Sequence, residues 1–290
     1  MSELPAPTPD QLLLSLHYPE LERSGCIDRS FDETLSVAKA VAVSRNDQPA
    51  ASLIWCAQTI ASIQRGFIAA FSHLKADAFY EAWCQLERCE VEILGLKHHH
   101  SVTDDDPHRI EYIEKMIQRW QALYPYKLFF SPELLKKKVV CSICGVKVTP
   151  RSNCGHAKFG VYDGEMCHHR VTEVEVLGIS LVESPVQRYS VAFLEADEAR
   201  KPKDHYNYGN VRFVVERLDS PFHGWDSYLT TRNISGSQAA HLASADPCPC
   251  LSGKSFGDCC TGTTEITVPH LQIRLYVQPS KSLPETELLL

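Results

Sequence analysis

No apolar run in this 290-residue chain is long and clean enough to cross a membrane. The longest apolar segment, Ala50 to Leu74, is interrupted by Ser52, Gln58, Thr59, Ser62, Gln64 and Arg65, the pattern of a core helix. The opening residues, MSELPAPTPDQ, lack the basic and apolar stretches of a secretion signal, so a reducing, cytoplasmic setting is expected. Positive charge is not in excess. Lys and Arg number 29 against 36 acidic residues, a net charge of -7, which argues against a surface built as a whole to bind a polyanion. P-loop, GxGxxG and GxSxG patterns are missing, and with them any support for nucleotide-driven work or α/β-hydrolase chemistry. There is no internal repeat and no long low-complexity segment.

Apolar residues make up 44% of the chain, enough for a real core. Cysteine is abundant at 12 residues, and in a reducing compartment closely spaced cysteines read as metal ligands rather than disulfides. The cysteines fall in two clusters, Cys141 to Cys167 and Cys248 to Cys260, plus Cys26, Cys56, Cys84 and Cys89 inside apolar stretches. Those four read as small buried hydrophobes.

The first half is helical in pattern. Ile60, Ile63, Phe67, Phe71 and Leu74 form one stripe. Phe79, Trp83, Leu86, Ile93 and Leu96 form a second after a break near Lys75 to Asp77, and Ile110, Ile113, Ile117 and Trp120 form a third. Asp104, Asp105 and Asp106 before Pro107 are a helix start signal, and Ser131-Pro132 repeats it for a short helix ending at Lys136 to Lys138. His98 to His100 read as a helix end, where histidines favour the negative end of the dipole, with a metal-binding run as the alternative.

The second half changes to period two. Val174 and Val176, then Tyr189, Val191 and Phe193, then Val211, Phe213 and Val215, then Ile266 to Val277 all read as strands. Asp163-Gly164 predicts a hairpin between Phe159–Tyr162 and Val171–Val176. The fold class is therefore α+β, a helical bundle over residues 1–137 followed by a β-rich region over 138–290. Both ends, Met1 to Asp10 and Pro279 to Leu290, read as frayed. Phe222, His223, Trp225 and Tyr228 read as a small satellite core, with a binding face for a peptide or base as the alternative.

Residues 248–260 read CPCLSGKSFGDCC. Cys248, Cys250, Cys259 and Cys260 can complete a tetrahedral zinc shell with no open position, and Lys254 offsets part of its negative charge. The stretch resembles the SEC-C metal-binding motif, the zinc-binding tail of the SecA translocation ATPase that also occurs in stand-alone bacterial proteins. The four cysteines occupy the ligand positions, Ser252, Gly253 and Lys254 match the loop, and Phe256 stands where that family has an aromatic. Leu251 replaces the usual glycine, which predicts a tighter or shifted loop. The resemblance implies a non-catalytic, zinc-folded contact surface for proteins, a chaperone and the ribosome among them. Here the motif, spanning 247–262, precedes another strand and so is not a free tail.

Residues 141–169 hold a second donor set: Cys141, Cys144, Cys154, His156 and Cys167, with His168 and His169 beside them. Cys141-x-x-Cys144-Gly145 has the form of a zinc knuckle. The leading ligand set is Cys141, Cys144, His156 and Cys167, with Cys154 the closest competitor. About two zinc ions per chain are expected.

Lys136, Lys137, Lys138, Lys147, Arg151 and Lys158 surround this region, and no acid falls between Leu134 and Tyr162. A nucleic-acid contact is one alternative function. A zinc-dependent hydrolase, with Glu165 or Asp163 as general base, is another. Gly178 to Pro185 resembles the closing strand of phage prohead protease domains, but no catalytic serine segment accompanies it, so Ser180 reads as a strand residue. The composite reading is a zinc-binding adaptor that contacts another protein, with no membrane role.

Overall fold

The structure, a computed structural model, describes residues 8–14, 29–151, 154–196 and 202–276. The expectation for Cys26 and those for residues 1–7 and 279–290 lie outside these segments. The chain divides into two compact units, 1–207 and 208–290, and the expected boundary at 137/138 falls inside a strand of the first.

The first unit opens with helices α1 (Pro9–Leu14), α2 (Arg29–Ser44), α3 (Gln48–Lys75), α4 (Phe79–Leu96) and α5 (Ile110–Leu123). Asp47 caps α3 by accepting from the Ala50 N–H at 3.1 Å, and Pro49 occupies its first turn, where a missing N–H costs nothing. The stripe Ile60, Ile63, Phe67 and Leu74 is buried as its spacing requires. Asp77, at φ 58°, takes the left-handed conformation that separates α3 from α4. Helix α5 begins three residues after the expected start: Arg109, at φ 61°, stands at the N-cap and Pro107 lies ahead of the first turn, while the Asp106 carboxylate reaches forward to accept from the Ile110 N–H at 2.8 Å. The buried face of α5 is Ile110, Ile113, Met116, Ile117, Trp120 and Leu123.

α3 and α4 approach closely at Gly66. A Cβ there would lie 2.6 Å from the Cys89 sulfur and 2.7 Å from the Gln85 amide nitrogen. Cys56 and Cys89 are buried, as small hydrophobes should be, and burial pushes their thiols up to about 11 and about 12.

After the helices comes a long two-stranded ribbon, β1 (Phe129–Cys141) against β4 (His169–Val182), antiparallel from Phe129↔Val182 to Cys141↔His169. The helix expected after Ser131-Pro132 is not formed, because that segment lies inside β1. A capping signal is local and worth about 1 kcal/mol, whereas this segment pairs along its length with β4. Each strand of a two-stranded ribbon has an open edge, which accommodates the N–H that Pro132 lacks. Ser180 is a strand residue opposite Ser131.

Between β1 and β4 sits a short hairpin, β2 (Val161–Tyr162) with β3 (Glu165–Met166). Its turn residues Asp163 and Gly164 have φ of 52° and 71°, both positive as a primed turn demands. The turn is where the sequence places it, but Val171–Val176 pairs with β1 instead of with Phe159–Tyr162. The strand expected at Tyr189, Val191 and Phe193 reduces to a single bridge, Val191 to Phe129. This unit ends with β5 (Glu195–Ala196) and β6 (Pro202–Lys203).

The second unit contains α6 (Gly209–Glu216) and the hairpin β7 (Trp225–Ser235) with β8 (Glu265–Leu275). The strand expected at Val211, Phe213 and Val215 is α6. Its buried residues are Val211, Val214, Val215 and the following Leu218, a helical spacing that the apolar Phe213 masked. β7 carries few β-branched residues at its start and is legible only through its partner β8. Trp225 at its head is fully buried.

Gly66→Ala tests the α3–α4 contact. Helix propensity alone predicts a gain of about 1 kcal/mol, and overpacking against Cys89 costs about 1–3 kcal/mol. A net loss is expected in urea unfolding followed by helical circular dichroism.

Candidate metal centres

The central cluster forms where β1 ends. Cys141 is fully buried at the ribbon's last pair. Gly145, at φ 72°, turns the chain so that its N–H donates to the Cys141 carbonyl at 2.9 Å, while the Cys141 N–H donates to Val146 at 2.9 Å. The turn falls where the Cys-x-x-Cys-Gly spacing places one. Gly155, at φ 81°, brings Cys154 and His156 back toward it. Cys141, Cys144, Cys154 and His156 offer donor atoms that all lie within 4.8 Å of one another. Cys167 adjoins this set, fully buried, with its sulfur 3.7 Å from that of Cys141. His156 Nδ1 is 3.8 Å from the Cys141 sulfur. With metal–sulfur bonds of 2.3 Å, a tetrahedral shell has sulfur–sulfur edges of about 3.8 Å; Cys167 stands at that distance from Cys141 but lies outside the mutually close set of four. His168 and His169 are exposed and stand outside the donor set.

The electrostatics are uneven. The backbone N–H of Cys144 is the main cause that draws the Cys141 thiol down to about 6. Burial, and then the neighbouring Cys141, push the Cys167 thiol up to about 11.

The cluster is tied to the helices by contacts without a local sequence signal. Lys39 on α2 pairs with Glu165 at 2.6 Å, and the Gln48 side chain on α3 donates to Val161 O and accepts from the Asp163 N–H. His98 stacks on Phe159 at 4.4 Å between ring centres, and a His99 ring nitrogen contacts the Phe159 carbonyl. The histidine run after α4 thus holds the loop that carries His156. Of the acids considered as general bases, Glu165 has its carboxylate engaged on this docking face by Lys39. Two of the surrounding lysines are also neutralised across the ribbon, Lys137 by Glu175 at 2.5 Å and Lys138 by Glu173 at 3.4 Å.

The second cluster lies between β7 and β8. Cys248, Cys250, Cys259 and Cys260 place all four sulfurs within 4.8 Å of one another. The separations are 3.3 Å for Cys248–Cys250, 3.5 Å for Cys250–Cys259 and 3.7 Å for Cys259–Cys260. The loop is closed by the Cys248 N–H donating to Lys254 O at 3.0 Å, and by the Cys259 and Cys260 N–H groups converging on Phe256 O. Phe256 and Cys248 pack with Ala239, Ile266 and Val268, so the hairpin and the cysteines share one small core. The Ser252 hydroxyl, followed by Cys248, draws the Cys250 thiol down to about 6, whereas contact with Cys248 and burial push Cys260 up to about 12.

A family model described as the SEC-C motif matches residues 245–260. The chain contains a SEC-C motif. No curated protein and no solved structure matches the chain. Within the motif Leu251 has φ 57°, the left-handed conformation that a glycine adopts without steric penalty, and its side chain is exposed. The loop therefore keeps the turn that glycine favours and carries the strain of a branched residue there.

Leu251→Gly removes that strain at the cost of a more flexible unfolded chain. A net stabilisation of about 0.5–1 kcal/mol is expected, read as a higher urea midpoint with unchanged metal content.

Proposed function

We propose that the protein is a zinc-stabilised adaptor that holds about two zinc ions and contacts another protein. The observation that carries this reading is the pairing of metal-compatible clusters that leave no open ligand position with an uncovered apolar ribbon. In the first unit the β1–β4 ribbon rises from the central cluster. Leu134, Val174, Val176, Leu177, Ile179 and Leu181 on it are 42–67% exposed. Contiguous apolar surface of this kind is characteristic of protein contact. The outer edge of β1 is bridged at both ends, by Val191 at Phe129 and by Lys147 at Val140; the stretch between is available for strand addition, in which backbone hydrogen bonds supply the attachment and alternate side chains the specificity. In the second unit the SEC-C motif supplies a compact module of the kind its family uses for protein contact.

Zinc is the ion that thiolate and imidazole donors at these spacings suit best. Cys248, Cys250, Cys259 and Cys260 would hold one ion. Cys141, Cys144, Cys154 and His156 would hold the other, with Cys167 as a buried neighbour rather than a fifth ligand. Bound there, zinc would supply folding energy to short segments that lack a core of their own. The nucleic-acid alternative loses support from the Lys137–Glu175 and Lys138–Glu173 pairs, which cancel part of the basic stretch. The hydrolase alternative loses support from the surplus of donors and from the engagement of Glu165 with Lys39.

Elemental analysis of the purified full-length chain is expected to find about two zinc ions, falling by about one in Cys248→Ser and by about one in Cys154→Ser. Cys167→Ser is expected to retain both. A zinc-free wild type that keeps its fold in a strong chelator would overturn the reading. The adaptor role is checked by affinity capture with Val176→Asp/Ile179→Lys, which is expected to lose a partner held by the wild type while keeping its zinc.

A further inference from the structure

A third group of metal-ligating side chains lies away from both cysteine clusters, in the segment joining α4 to α5. Its members are His100, Asp106 and His108, whose donor atoms all lie within 4.8 Å of one another. Asp106 and His108 are 6% and 4% exposed, and His100 is partly accessible.

The spacing inside the group is informative. His100 Nε2 lies 3.5 Å from Asp106 Oδ1. A charge-assisted hydrogen bond between these groups would close to about 2.7–2.9 Å. Two ligands sharing a tetrahedral ion at bond lengths near 2.0–2.2 Å stand about 3.3–3.5 Å apart. The observed separation matches the second case.

The carboxylate is also held in place from behind. Asp106 Oδ2 accepts from the Ile110 N–H at 2.8 Å and Oδ1 from the His108 N–H at 3.3 Å. The His108 carbonyl in turn accepts from the buried Gln64 side chain at 2.9 Å, which anchors the segment to α3. Outer partners of this kind orient ligands before an ion arrives.

We propose that His100, Asp106 and His108 form a third divalent-cation site, with two imidazoles, one carboxylate and one position left for water or an outside ligand. The donor set suits borderline ions such as Zn²⁺, Co²⁺ or Ni²⁺ and is too poor in oxygen for Ca²⁺ or Mg²⁺. With three protein ligands and no thiolate, it binds more weakly than the cysteine clusters. An ion here would stiffen the turn whose next residues toward α4, His98 and His99, hold Phe159 and so the loop carrying His156.

The test is Co²⁺ titration of the full-length protein, followed by absorption. Cobalt bound to thiolates gives strong sulfur-to-metal charge transfer, and cobalt bound to imidazole and carboxylate gives only weak visible bands. Wild type is expected to take up one equivalent without added charge transfer. That equivalent should survive in Cys248→Ser and be weakened at least about 10- to 100-fold in His100→Gln, since losing a ligand costs no less than losing an outer partner. His100 is accessible enough for this change to leave the fold intact, verified by an unchanged melting curve without metal.

A second readout needs no variant. The same equivalent of Co²⁺ is expected to shift or broaden the ring resonances of His100 and His108 in the wild type. No thiolate-free equivalent in the wild type, its persistence at full strength in His100→Gln, or unperturbed ring resonances would each overturn the proposal. The site shares no residue with the cysteine clusters, so a failure to find zinc there is a separate result.

Discussion

Sulfur atoms stand 3.3 to 3.7 Å apart in both cysteine clusters, a spacing that would put like charges in contact if every thiol were ionised. The thiols of each cluster titrate apart, for local causes that differ from one to the next. In one cluster Cys250 is drawn down to about 6 while Cys260 is pushed up to about 12. In the other Cys141 falls to about 6 while Cys167 rises to about 11. A divalent ion at the centre would pair with each ligating thiolate at once, which is why such spacing is compatible with zinc binding.

The rest of the β structure leans on these clusters. Every sheet among the described residues has two strands, and an isolated two-stranded ribbon is marginal in water. The β1–β4 ribbon is closed at one end by the Cys141↔His169 pair, directly at the central cluster. The β7–β8 hairpin gains a core from Phe256 and Cys248 packed on Ile266 and Val268. In each case a donor cluster stands where a third strand or a covering helix would otherwise be needed. The first cluster is held in turn by helices, through Lys39, Gln48, His98 and His99.

The sequence made some of this plain and hid the rest for identifiable reasons. The stripes of α3, α4 and α5 were legible because long helices repeat their apolar period several times. The Asp163-Gly164 turn was legible because positive φ at both positions selects few residue types. The Ser131-Pro132 signal misled because a capping pattern describes four residues, and β1 is decided by pairing with β4, some forty residues away. Val211, Phe213 and Val215 misled because three residues in alternation do not distinguish strand from helix until Val214 and Leu218 are seen to share the buried face.

What the sequence determined by itself is the chemistry of the sites. Thiols and imidazoles at one-, two- and eight-residue gaps can reach a common point with little help from the remaining chain, so the SEC-C motif and the knuckle are legible from spacing alone. Tertiary structure decided the assembly: which of Cys154 and Cys167 joins the mutually close set, where Glu165 finds its cation, and that His100 and Asp106 converge with His108. Those outcomes depend on packing between segments distant in the chain or on the path of an irregular loop, and neither is written in local periodicity.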